Sequence, residues 1–274
     1  MTGSTEVDGV AADAASSGPM GWLARVGLTA RGVIYLVMGW LAIQLAMGAR
    51  ADVDQRGVLA EILDQPAGRA LVGLLALGFA AYAVWRFSEA AFGVTGEGEG
   101  AGPRLKSLAR GIAYSVLAVS AIALLQGART TQSGQQGRVA GTLIQHSGGR
   151  LLVGAVGLVV IAVGVLMVHE GWSKKFLRYF GALPAHTTRG VVRLGQVGTV
   201  ARGIVFAVTG FLVLVAAWSA DPAKAGGIDA AFRTLLQQPY GTALVALLGA
   251  GLMVFGAYGL AEAAWRRVTD ATPS

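Results

Sequence analysis

Residues 201–220 read ARGIVFAVTGFLVLVAAWSA: one arginine, then eighteen residues from Gly203 to Ala220 without a formal charge. A helix rises about 1.5 Å per residue, so such a run, completed by interfacial residues at its ends, crosses the ~30 Å hydrocarbon core of a bilayer. Five further stretches lack Asp, Glu, Lys, Arg and His, at 32–49, 70–85, 111–128, 151–168 and 234–261. Six transmembrane helices are therefore predicted. The composition agrees, with 54% apolar and 14% charged residues against a charged share of roughly 25% in soluble domains, and a mean hydropathy of +0.59. An ordinary soluble enzyme is excluded, and the solvent is expected to be lipid.

The opening of the quoted stretch recurs. Ala30-Arg31-Gly32, Ala109-Arg110-Gly111 and Ala201-Arg202-Gly203 each begin an apolar run, and an aromatic follows the arginine by four residues as Tyr35, Tyr114 and Phe206. A small residue lies seven beyond each glycine, as Gly39, Ala118 and Gly210, two turns away on the same helical face. Such a face suits close helix contact. The second helix of each pair follows Gly68-Arg69, Gly149-Arg150 and Gly241-Thr242, and Glu89, Glu170 and Glu262 stand twenty residues further on. Before each glycine come Ile62-Leu63, Leu143-Ile144 and Leu235-Leu236, with Leu59, Ala140 and Phe232 three residues earlier. That spacing predicts either a short amphipathic helical turn at the interface or a tightly packed loop.

Every repeat contributes two spans, so all three run in the same direction. The expected fold is all-α: a polytopic membrane protein whose six helices form three parallel two-helix repeats about a pseudo-threefold axis, unlike inverted-repeat transporters. The expected organisation is a tail over 1–21, repeats over 22–95, 105–175 and 193–268, a linker at 96–104, a basic loop at 176–192 and a tail over 269–274.

The threefold ARG-x-x-Y/F opening, with glycine and glutamate 20 or 21 residues apart, resembles a family of bacterial integral membrane proteins classed as a domain of unknown function and built from tandem two-helix repeats. The resemblance runs from about Leu23 to Arg267, with Thr242 and Phe206 departing from the pattern. It implies a bacterial cytoplasmic-membrane location and the repeat fold, and it implies no activity.

Charge placement supplies a topology. Of the 22 Lys and Arg, 14 fall on the side that holds both termini and 8 on the other, so the termini are expected in the cytoplasm. The net charge of +7 then reflects topology and not nucleic-acid binding, because the cations flank neutral runs. Residues 1–20 carry three acids and no base, unlike a signal peptide. Arg86, near the end of the second run, is expected to snorkel to headgroups. Trp22, Trp85, Trp172 and Trp265 at one level and Trp218 at the other suggest an aromatic belt. The basic loop with Lys174, Lys175, Arg178, Arg189 and Arg193 is either a positive-inside determinant or a surface for anionic lipid or an acidic partner.

The candidate site is a ring of ion pairs at the cytoplasmic boundary. Arg31, Arg110 and Arg202 start odd helices and Glu89, Glu170 and Glu262 end even ones, the reverse of what each helix dipole favours. Pairing across the hairpins would compensate both. Such pairs either staple the helices, line a vestibule for an anion, ion or small solute, or dock a partner. Elsewhere the chemistry is sparse. There are no cysteines, and His146, His169 and His186 offer no ligand trio. Gly96-Glu97-Gly98-Glu99-Gly100 reads as a flexible linker, since its acids would repel phosphate. No Walker loop or nucleophile elbow occurs. The mid-span polar residues Gln44, Ser115, Ser120 and Thr209 are not ionisable, whereas coupled pumps use ionisable groups there. The expectation is a non-enzymatic structural or interaction protein without metal or cofactor, with a passive solute or ion pathway along the axis as the alternative. Membrane lipids, anionic ones included, a membrane-protein partner or a second copy are the expected partners, and nucleic acid is not.

Overall fold

The structure, a computed structural model, describes residues 18–92, 101–128, 132–180 and 185–265. The expected tail up to residue 17, residues 96–100 of the linker and everything after residue 265 lie outside them. In chain order the first repeat comprises α1 (Gly18–Ala46), α2 (Gln55–Leu63) and α3 (Gly68–Phe92). The second comprises α4 (Ala101–Leu125), α5 (Gln132–Ile144) and α6 (Ser147–Trp172), and the third α7 (Ala185–Ser219), α8 (Gly227–Leu236) and α9 (Gly241–Trp265). The six long helices are each long and apolar enough to cross a membrane. The stretches expected to be either an amphipathic helical turn or a packed loop are the helices α2, α5 and α8.

Three helices begin before the expected boundaries. α1 starts at Gly18 inside the stretch read as tail, α4 at Ala101 inside the linker, and α7 at Ala185 inside the basic loop. Charge-free runs mark what hydrocarbon covers, but a helix continues into water as far as its residues allow. Pro19 and Pro103 sit in first turns, where a missing N–H is harmless.

The most extensive contacts join the even helix of one repeat to the odd helix of the next: α3 on α4, α6 on α7, and α9 back on α1. α1 packs on α3 and α7 on α9 within their own repeats, yet α4 and α6 share no extended interface. The bundle is thus an open arc, α4–α3–α1–α9–α7–α6, and not the closed threefold set of hairpins that equal repeats predict. The second hairpin is splayed because each of its long helices is seated on a neighbouring repeat, while α5 lies on α6 and on the turn Pro222–Ala225 and shares no extended interface with α4, which α2 touches instead.

Small residues set the close approaches. Gly32 and Gly39 of α1 face Gly256 and Gly249 of α9, and Gly203 and Gly210 of α7 face Gly164 and Gly157 of α6. A Cβ on Gly164 would stand 2.6 Å from the Gly203 oxygen, and one on Gly249 2.8 Å from that of Gly39. Antiparallel helices carrying glycine seven residues apart therefore meet backbone to backbone at two levels. Arginines that open even helices close the ends of neighbouring odd ones. Arg69 donates to the Leu125 carbonyl at 3.2 Å, and Arg150 to those of Ala217 and Trp218 at 3.2 and 3.0 Å. Each cation stands where a C-terminal dipole favours it. Leu74, Leu77, Val119, Leu158, Val159 and Leu247 are exposed on the outside of the bundle, an apolar surface that water would not tolerate and lipid does.

Candidate functional site

The end of the bundle opposite α2, α5 and α8 holds a buried cluster of arginine, glutamate and aromatic side chains. At 1.5 Å per residue, Arg202 stands about 26 Å along α7 from Ser219, at the level where α1 carries Arg31 and α9 approaches its end with Glu262. Arg31 is bonded to Glu262, and both side chains are more than nine-tenths buried. The pair ties the first repeat to the third. Arg25, further toward the same end, donates to the carbonyls of Ala263 and Ala264 at 2.7 Å and closes the last turn of α9.

Glu89 pairs within its own helix. Arg86 reaches its carboxylate at 2.5 Å, and Ser107 of α4 donates to the same oxygen at 2.9 Å. The other arm of Arg86 donates to the Tyr82 hydroxyl at 2.6 Å, and its guanidinium lies 4.3 Å from the centre of the Trp85 ring. Arg86 is 1% exposed, so it does not snorkel, and Trp85 is buried beneath it and does not belong to an interfacial belt. The stripe Tyr82, Arg86 and Glu89, at spacings of four and three, was readable as one helical face. Its position near a span end made headgroups look like the partner instead.

Arg202 takes a third arrangement. Its guanidinium lies 4.9 Å from the ring centre of Tyr35, 4.7 Å from Phe255 and 5.1 Å from Phe206. Tyr35 meets Phe255 edge to face at 4.8 Å, and the Arg31 guanidinium lies 5.5 Å from the centre of the Phe255 ring. Cation–π contacts of this kind gain strength where water is excluded. Tyr114, the counterpart on α4, packs on Tyr82 at 4.3 Å and on Phe79 at 5.9 Å. The three repeat aromatics thus all lie inward, on different partners.

The six charged residues do not form three equivalent pairs. Arg31 and Glu262 pair between repeats, Glu89 bonds to Arg86 and Ser107, and Arg202 is enclosed by rings. Arg110 is exposed, and Glu170 is half-buried without an ion pair among the described residues. Two expected roles shift as a result: Arg31 and Glu262 bond between repeats while Glu89 bonds to Arg86 of its own helix, and aromatic faces stand around Arg202 where a carboxylate is expected.

Near these groups, Phe176 and Phe180 from the stretch expected as basic loop are buried against Tyr258, at 5.4 and 5.9 Å between ring centres. At the other end, α8 grips the loop before α2. Asp229 accepts from the Val53 backbone N–H at 2.9 Å and from Arg233 at 2.7 Å, and Arg233 also donates to the Ala51 carbonyl at 2.8 Å. The hydrogen bond to Asp229 is the main cause that holds the Arg233 guanidinium above its ordinary value. The imidazole of His169 lies 3.1 Å from the Lys175 ammonium, and that of His146 faces the Thr142 carbonyl.

The fold and this cluster define a class: a helical bundle of three tandem two-helix repeats, apolar enough to cross a membrane six times and joined end to end by a buried Arg–Glu bond. Residues 26–93, 105–174 and 197–266 each match the family described as Domain of Unknown Function (DUF1206), and the chain belongs to that family. It is also similar to YxxB, an uncharacterised protein of Bacillus subtilis (strain 168), at 26% identity over 250 residues that cover 89% of this chain and 90% of the relative. No solved structure matches the chain.

Proposed function

We propose that this is a non-enzymatic interaction protein of the bacterial cytoplasmic membrane, with both termini in the cytoplasm, whose bundle serves as a platform for lipid or protein partners. The observation that carries the reading is the filled interior. Tyr35, Phe79, Tyr82 and Phe255 are at most 5% exposed, and Arg202 is packed among rings where a conducting pathway would need continuous wet, polar walls. Glycine-to-glycine contacts along α1/α9 and α6/α7 add the dry packing of a scaffold. The bias of 14 cations against 8 supports the topology.

The test is flux in proteoliposomes for a broad panel of ions and small solutes, comparing the wild type with Arg31→Ala, Arg110→Ala and Arg202→Ala. No flux is expected from the wild type or from any of the three variants that remains folded, with folding checked by circular dichroism. Flux in the wild type that is lost with Arg202→Ala overturns the reading and makes the aromatic cluster a gate.

A further inference from the structure

The second repeat lacks a side chain that the other two possess. Leu59, Ala140 and Phe232 hold the same place on α2, α5 and α8, and Leu59 and Phe232 are at most 1% exposed. Phe232 packs with Val205 and Val208 of α7 and Leu248 of α9, leaving no space of water size. In the second repeat Ala140 offers only a methyl group, and the long helix that should face it has moved away. Val116 of α4, in the register of Val208, is 59% exposed, and Val139 beside Ala140 is 62% exposed.

The consequence is a cavity of about 830 Å³ between α5, α6 and α7, bounded also by Ala225 of the turn and Gly227 of α8, with no residue of α4 in its wall. It is apolar along Leu143, Leu152, Val156, Val160 and Val213. The one hydroxyl in the wall, that of Thr209, is engaged with the Val205 carbonyl at 2.8 Å. Its polar edge is made by Gln135, Gln136 and Arg138 of α5, and no carboxylate lines it. Arg138 is exposed and has no ion pair among the described residues.

We infer that the splayed second repeat is a binding site for an anionic phospholipid, one acyl chain lying in this cavity and the phosphate resting on Arg138 and the two glutamine amides. The volume lies within the roughly 300–1,000 Å³ of small-molecule sites. Leu152 and Val156 of the cavity wall are 54% and 49% exposed on a helix apolar enough to cross a membrane, so an acyl chain is the occupant that suits an open apolar wall there. The guanidinium at the mouth, with amide donors beside it and no acid, selects a negative head over a zwitterion. The inference rests on the reading that the protein works by binding.

The test is lipid retention by the full chain in detergent, followed by native mass spectrometry with phosphatidylglycerol and phosphatidylcholine of identical chains. One phosphatidylglycerol is expected to be retained about tenfold more tightly than phosphatidylcholine, equivalent to about 1.4 kcal/mol. Arg138→Gln, a change on an exposed helix face, should remove that preference. Ala140→Phe, which restores the side chain of the third repeat, should remove retention of both lipids while circular dichroism stays unchanged. Equal retention of the two lipids, retention unaffected by Arg138→Gln, competition by millimolar inorganic phosphate without lipid, or a dimer that excludes lipid would each overturn the inference. Because flux is measured separately, lost lipid selectivity in a protein that conducts nothing sinks this inference alone, whereas flux sinks the platform reading whatever the lipid result.

Discussion

Arg31 of α1 and Glu262 of α9 form an ion pair across 231 residues of sequence, buried where the last repeat closes on the first. A buried pair is not in itself stabilising relative to apolar side chains, but removing one partner leaves the other desolvated. Arg31→Met or Glu262→Met alone should therefore destabilise the bundle by about 3–5 kcal/mol, with the double Met variant recovering most of the loss. Unfolding in denaturing detergent, followed by circular dichroism, gives the coupling directly. Additive single and double losses would deny the bond its role.

The glycine contacts lead to a second expectation. Gly249→Leu places a side chain against the Gly39 backbone, where a Cβ already stands 2.8 Å from an oxygen. Helix separation must grow, and a fall in thermal stability of several kcal/mol or loss of monodisperse protein is expected. Gly73→Ala is the control, because nothing lies within 4 Å of its Cβ position, and it should be neutral or more stable by up to about 1 kcal/mol.

These two examples mark what the sequence made legible and what it did not. Six helices of span length were readable because hydrocarbon demands long neutral runs, and the glycine faces because three copies displayed the same seven-residue interval. Which helix would meet each face was not readable, since the interval belongs to one helix and the partner to packing. The same limit explains Arg31, whose expected carboxylate lies in another repeat. Arg86 departs from expectation for a different reason: snorkelling and burial begin from the same place near a span end, and only the Tyr82 and Glu89 side chains on its own face decide between them. Splaying of α4 from α6 ran against the repeat symmetry itself. Its signal was local, in Ala140 standing where Leu59 and Phe232 stand and in the glutamines of α5.

Asp229 offers a test at the opposite end. Its carboxylate receives the Val53 N–H and the Arg233 side chain, so Asp229→Ala leaves a buried donor unmet and should cost about 1–3 kcal/mol. Arg233→Ala should cost less, about 0.2–1 kcal/mol, because its side chain is 45% exposed. A guanidinium held above its ordinary value contributes stability that is complete below that value and is lost only as pH rises beyond it. The contribution of Arg233 is accordingly expected to be flat through the neutral range. Hydrogen exchange at Val53 should accelerate in Asp229→Ala and hardly change in Arg233→Ala.

Arg150 permits the most local of the measurements. It opens α6, but its donors go to the Ala217 and Trp218 carbonyls at the end of α7, which have no partner within their own helix. Arg69 does the same for Leu125, while the third repeat has Thr242, too short to reach a neighbouring helix end in this way. Arg150→Ala should then fray the last turn of α7, with faster amide exchange over 218–221 and a loss of about 1 kcal/mol, and leave α6 itself helical. Arg150→Lys should recover part of the protection, since one ammonium can meet one carbonyl but not both at a fixed fork. Unchanged exchange over 218–221 in Arg150→Ala would mean that lipid or water closes that helix end and that the arginine contributes only its charge.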